Sequence, residues 1–163
     1  MGNVYLGIDI GTSACKTALY NTQGNCLDSV SAEYPVFCPR AGYVEQHADQ
    51  WWRAVCSCLR ILRDRGADLQ AVEAVGVDGQ SWAAVPIDRD GDVLANTPLW
   101  MDTRNEQLCQ EWASRLGAQN IFRISKNPFT PGYTLPKVLG WIEKEPDLIQ
   151  RTERVLQCKP AGH

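Results

Sequence analysis

The sequence is poor in imidazole and in paired thiols. Of 163 residues only His47 and His163 are histidines, and none of the seven cysteines (Cys15, Cys26, Cys38, Cys56, Cys58, Cys109, Cys158) belongs to a CxxC pair. That composition argues against a zinc centre. Cys56 and Cys58 lie two apart in a helical pattern, where such side chains point to different faces and cannot share an ion. An odd thiol count without a secretory leader reads as a reduced, cytoplasmic protein. No window approaches the ~18 apolar residues of a membrane span. A basic excess is also missing: 16 Lys and Arg face 19 Asp and Glu, for a formal charge of -3. Nucleic acid and anionic membrane surfaces are therefore poor partners, and any anionic ligand must be gripped by local geometry.

What is present suits a globular α/β chain, with 44% hydrophobic and 21% charged residues. From Val4 to Ile10 apolar residues alternate with Tyr5, Gly7 and Asp9, the period of a half-buried strand. Turn residues at Gly11-Thr12-Ser13 and at Asn21 to Gly24 separate it from strands over Ala14–Tyr20 and Cys26–Tyr34, which predicts an antiparallel meander. A helix is expected from Asp49 as cap to Gly66, with Trp52, Val55, Cys56, Leu59 and Leu62 inward. The run 71–77 reads as a buried strand parallel to the first. Trp82 to Ile87 and Val93-Leu94 suggest a hairpin about Asp90-Gly91. Thr103-Arg104-Asn105-Glu106 has capping-box spacing before a helix ending at Gly117. Further helices are expected over 119–124 and from Thr134 to Glu145, stopped by Pro146. Arg154 to Gln157 reads as the entry to a strand with nothing after it to pair with.

Three segments could carry chemistry. In Asp9-Ile10-Gly11-Thr12-Ser13-Ala14-Cys15-Lys16, a carboxylate at a strand end precedes a tight turn with two hydroxyls and then a lysine. Backbone N–H groups of such a turn can cradle phosphate oxygens, and Gly11 permits close approach. Asp9 is suited to Mg2+ through water, since magnesium keeps most of its hydration shell. No Walker A or dinucleotide-binding glycine pattern occurs. In Gly76-Val77-Asp78-Gly79-Gln80-Ser81-Trp82, a strand ends in an amide, a hydroxyl and an indole, groups suited to a polyol. By itself that cluster reads rather as a turn at Gly79 with a core tryptophan. In Leu99-Trp100-Met101-Asp102-Thr103-Arg104, Trp100 can stack on a ligand's apolar face, whereas Asp102 and Arg104 are expected either to pair with each other or to satisfy the helix start.

The order of these segments, with Glu45-Gln46, Trp51-Trp52 and Pro136-Lys137 between and after them, resembles the FGGY carbohydrate kinases, and most closely their xylulokinase-like members. The likeness runs from about Val4 to Leu156. It implies a ribonuclease H-like, actin-type ATPase fold, a mixed sheet with flanking helices, in which two such domains enclose a cleft. It implies ATP and Mg2+ as cofactor and metal, with Asp9 at the metal, and Gly11, Thr12, Ser13 and Lys16 at the ATP phosphates. Gln80, Ser81, Trp82 and Trp100 would contact the sugar, with Tyr133 near another sugar-lining position.

The sugar is expected to be a ketopentose such as xylulose or a related sugar, and Ser81-Trp82, standing where many xylulokinases carry Met-His, leaves open a ketose other than xylulose or a related polyol. The family's catalytic Asp lies beyond the point where this chain stops, which implies no catalytic base within it. The expectation is an incomplete sugar-binding domain over 1–157 with an irregular tail over 158–163, inactive by itself and self-associating through open strand edges. The alternative is a non-catalytic module that binds sugar or phosphate, or an inactive fragment.

Overall fold

A computed structural model of the chain describes residues 3–158; residues 159–163 of the expected tail lie outside them. In chain order the elements are β1 (Val4–Ile10), β2 (Ala14–Asn21), β3 (Cys26–Glu33), β4 (Glu45–Gln46), α1 (Ala48–Asp64), β5 (Val72–Gly79), β6 (Val85–Ile87), β7 (Thr97–Pro98), α2 (Glu106–Leu116), α3 (Ala118–Ser125), α4 (Thr134–Lys144), α5 (Pro146–Arg151) and β8 (Arg154–Leu156). Among the described residues no helix is long and apolar enough to cross a membrane. All seven cysteines are free thiols.

The chain divides into two compact units. The first holds residues 3–36, 47–80 and Cys158, and the second holds Phe37–Gln46 and Ser81–Gln157.

The first unit is a four-stranded sheet in the order β3-β2-β1-β5. β1, β2 and β3 form the expected antiparallel meander, and β5 lies parallel to β1 with Gly7 opposite Gly76 and Asp9 opposite Asp78. Alternation puts Leu6, Ile8, Cys15, Leu19 and Val30 on one face, where they are buried. α1 covers that face over β2 and β3. Its inward residues are Trp51, Ala54, Val55, Cys58 and Leu62. Only Val55 and Leu62 match the expected stripe: Trp52 is 69% exposed and Cys56 and Leu59 are half-buried, while Trp51, Ala54 and Cys58 fill the core. The expected cap also differs. His47 is the N-cap and Asp49 sits in the first turn, where its charge favours the positive end of the helix dipole.

β5 corrects a second expectation. Although its composition is that of a buried strand, residues 73–78 are all exposed. It is the sheet's edge, and α1 lies over β2 and β3 instead, so Val75 and Val77 share the face of Leu6 and Ile8 without the helix above them.

In the second unit β4 pairs with β7 and β6 pairs with β8, both antiparallel. The segment expected to be an unfinished strand thus has its partner in β6. The expected hairpin is reduced to an isolated bridge between Ile87 and Val93 around Gly91, which adopts φ 90°. Trp82 to Ala84 stand outside any strand. The capping box does not form as expected, since the second helix starts at Glu106 with Asn105 as its N-cap. α2 and α4 approach closely at Gly140, where an added Cβ would collide with the Asn105 amide. Asn105 in turn donates from Nδ2 to the Pro136 carbonyl at 3.1 Å.

Candidate functional site

Each unit carries its own cluster of the residues singled out by sequence. In the first, the loop between β1 and β2 is closed by Gly11 N–H donating to Ala14 O at 3.0 Å. Gly11 suits the tight turn, because a Cβ would lie 3.1 Å from that same oxygen and would push it aside by a few tenths of an ångström. Two further loop carbonyls are engaged by one residue: the Tyr34 hydroxyl donates to Gly11 O at 2.6 Å and Tyr34 N–H to Ser13 O at 3.1 Å. Burial first, then the nearby Cys158 and Cys15 thiols and the Asp9 carboxylate, push the Tyr34 phenol well above its usual value. Tyr34 therefore remains a donor throughout the physiological range.

Asp9 is flanked across the sheet by Lys16 on β2 and by Asp78 on β5, all three at matching register and exposed. Next to them the facing pair Gly7 and Gly76 leaves the surface without side chains. The result is a hollow of about 440 Å³ whose lining includes Asp9, Lys16, Asp78 and both glycines.

Two carboxylates on one face match a hard cation. Such a cation takes one or two carboxylates and completes its shell with water and phosphate oxygens, as Mg2+ does. The donor set fits magnesium and does not fit zinc. Sequence reasoning singled out Asp9 but missed Asp78 as its neighbour. The signal was available: Gly7-Ile8-Asp9 and Gly76-Val77-Asp78 repeat one pattern, and the parallel register superposes them. Gln80, directly after β5, is buried, and its N–H donates to Ile10 O at 2.8 Å.

The second unit contains Ser81, Trp82 and Trp100, all exposed. Trp82 adopts φ 62°, a left-handed conformation that costs a bulky residue about 1–2 kcal/mol. Its indole meets the Tyr133 ring at 4.4 Å between centroids with the planes tilted by 53°. Half-exposed aromatic faces of this kind are suited to the C–H faces of a sugar, with hydroxyls left to neighbouring polar groups.

Beneath the aromatics lies Lys137, 1% exposed. Its Nζ donates to Trp82 O at 2.5 Å and to Gly132 O at 2.7 Å. Burial lowers its pKa to about 8, with Asp102 acting to raise it and Arg104 to lower it. Gly132 is in turn so close to Trp100 O that a Cβ there would clash.

Trp100 sits on a turn held from below. Asp102, 1% exposed, accepts from Val44 N–H at 2.8 Å, from Arg104 Nε at 2.9 Å and from Arg104 Nη2 at 2.7 Å. Arg104 Nη2 also donates to Glu45 at 2.5 Å, and the guanidinium lies 3.8 Å above the Tyr43 ring. Burial opposes the Arg104 charge, but the Asp102 and Glu45 carboxylates outweigh it and raise its pKa. Asp102 and Arg104 pair as the sequence predicted.

Three comparisons bear on identity. Residues 4–160 match the family model of the FGGY carbohydrate kinase N-terminal domain. The chain is similar to the xylulose kinase of Lactococcus lactis, 36% identical over 155 residues that cover 94% of this chain and 31% of that protein. It is similar also to the xylulose kinase of Bacillus subtilis, 34% identical over 148 residues, 90% of this chain and 30% of the other. Among solved structures, a xylulose kinase from Brucella ovis superposes with a TM-score of 0.90 at 30% identity, covering 96% of this chain and 33% of that one. The chain thus spans about a third of the length of the relatives it matches. Its mixed sheet and helices have the ribonuclease H-like, actin-type architecture expected from sequence. The chain belongs to the FGGY family of carbohydrate kinases and corresponds to their N-terminal domain.

Proposed function

We propose that this chain forms the sugar-binding part of an ATP-dependent kinase that phosphorylates a hydroxyl of a ketopentose, xylulose or a close relative. The observation that carries the reading is the pairing of the exposed Trp82, held in a costly backbone conformation, with the half-buried Tyr133 in a chain of this family. Ser81, Trp82 and Trp100 contact the sugar in this reading, with Gln80, next in the chain to Ser81, as a further contact.

Gly11, Thr12, Ser13 and Lys16 bind the ATP phosphates, and Asp9 holds Mg2+ through water. Bound Mg2+ neutralises phosphate charge during transfer. The sugar oxygen bonds to the γ-phosphorus as the bond to the bridging oxygen breaks, ADP leaves, and the hydroxyl proton passes to a carboxylate base. We place that base in the two thirds of the relatives' length that this chain does not match, so the chain alone does not turn over. The protein acts in the cytoplasm, and copies of this chain associate through the open edge of β5.

Calorimetry against a ketose panel, read alongside tryptophan fluorescence, tests the sugar assignment. D-xylulose should bind, and Trp82→Ala should weaken that binding while leaving it measurable. Unchanged affinity in Trp82→Ala would remove the assignment. ATP-dependent phosphorylation of D-xylulose by the chain alone would overturn the placement of the base.

A further inference from the structure

Lys137 is the most deeply buried charged side chain of the second unit that has no carboxylate bonded to it among the described interactions. A buried ammonium is expensive unless its protons are taken up. Here two backbone carbonyls take them, Trp82 O at 2.5 Å and Gly132 O at 2.7 Å. The two carbonyls belong to segments 50 residues apart in the chain, and each adjoins one ring of the aromatic pair: Trp82 itself, and Tyr133 directly after Gly132.

The ammonium therefore ties together the two backbones that set the distance and tilt of the rings. It also engages the carbonyl of the one residue in this cluster with a left-handed backbone, φ 62° at Trp82. An α-helix supplies the anchor, since Lys137 lies in the first turn of α4, and the helix is fixed through the Pro136 carbonyl by Asn105. The surrounding ion pair contributes little net field, because Asp102 and Arg104 are bonded to each other.

We propose that Lys137 is a positioning residue for the sugar site, a clamp that holds the Trp82–Tyr133 pair at the separation and tilt in which it receives the ketose. The proposal rests on the reading of that pair as the sugar wall, and it is specific about how the wall is built: by one ammonium bridging two carbonyls, with no contact between Lys137 and the sugar.

The test uses the full chain with D-xylulose as probe and combines binding with near-ultraviolet circular dichroism of the aromatic pair. Lys137→Met should remain helical in the far ultraviolet, lose the near-ultraviolet signal that Trp82→Ala also removes, and bind D-xylulose roughly tenfold more weakly or worse, the loss expected when hydrogen bonds to a charged group go. In a Trp82→Ala background Lys137→Met should have no further effect on binding, because a residue acting through Trp82 has nothing left to act on. Should Lys137→Met fail to fold, Lys137→Gln, which keeps two N–H donors on a shorter stem, is read by the same signals and should retain part of both. A folded Lys137 variant that keeps the near-ultraviolet signal and full affinity overturns the clamp. If the unaltered chain shows no response to any ketose, the sugar-wall reading fails separately, and the near-ultraviolet signal of the Lys137 variants still decides whether the clamp exists.

Discussion

The Tyr34 hydroxyl donates to the Gly11 carbonyl at 2.6 Å, and the amide of the same residue donates to Ser13 O. One residue, 23 positions along the chain from Gly11, thereby fastens both ends of the loop proposed to receive phosphate, through its hydroxyl at one end and its backbone amide at the other. Tyr34→Phe removes the first bond and keeps the second. It should cost about 1 kcal/mol in urea unfolding and accelerate amide exchange at Thr12 and Ser13. The phenol's raised pKa adds a pH signature. Above about pH 10 the unfolded chain releases a proton that folded Tyr34 retains, so this group's contribution to stability declines there. The decline should be smaller in Tyr34→Phe.

Lys137 gives the opposite slope. Its pKa in the fold is about 8 against an ordinary 10.5. Below pH 8 it is charged in both states, and the cost of burying the ammonium is present in full. Between about 8 and 10.5 the unfolded chain binds a proton that the folded chain has released, so stability rises with pH from this group, by up to about 3 kcal/mol. The charged groups facing it, Asp102 and Arg104, hold each other across this range. Urea unfolding at pH 7 and pH 10 should show the unaltered chain gaining on Lys137→Met; parallel changes in the two proteins would contradict the burial of a charged amine.

Much of this was legible in the sequence where neighbours in the chain decide the outcome. The meander of β1, β2 and β3 follows from alternation and turn residues alone, and so does the placement of Asp9 beside its loop. α1 was legible as a helix, but its face was not: adjacent Trp51 and Trp52 each extend a helical stripe, and only packing against β2 and β3 selects Trp51. The exposure of β5 depends on which strands the helix covers. Residue composition cannot show that. The β6–β8 pairing and the Lys137 clamp join residues dozens of positions apart, and periodicity carries no information about such meetings. Pro136-Lys137 was noticed as part of a pattern; what the lysine touches required the structure.

The Arg104 ion pairs yield a stability prediction of larger size. Arg104→Met strands two carboxylates, Asp102 at 1% side-chain exposure and Glu45 at 12%. Breaking one partner of a buried pair costs about 3–5 kcal/mol, and the Trp100 turn, whose end Asp102 secures through Val44 N–H, should loosen with it. Chemical denaturation gives the first quantity and Trp100 fluorescence anisotropy the second.

Two glycines should respond oppositely to alanine. At Gly140 the new methyl would meet the Asn105 side chain, which is buried and already bonded to Pro136 O. The overpacking cost of about 1–3 kcal/mol should outweigh the gain of about 1 kcal/mol from replacing a helical glycine. At Gly76 nothing lies within 4 Å of the added carbon, so Gly76→Ala should be neutral or slightly stabilising. Thermal melts of the two variants, side by side, distinguish a packed interface from an open strand.

The last prediction concerns the edge of β5. Its eight residues present an unpaired backbone edge among the described strands, and Val75 and Val77 stand 55% and 42% exposed beside it. Long apolar edges of this kind recruit further strands unless charge or proline blocks them, and proline is missing from Val72–Gly79, which holds only Glu73 and Asp78 as charges. The chain should therefore sediment as dimers or larger species at micromolar concentration. Val75→Lys, which places a charge on the exposed face at mid-strand, should shift it toward monomer without unfolding it. A monomer in the unaltered chain would mean that the edge is protected by something other than a second copy.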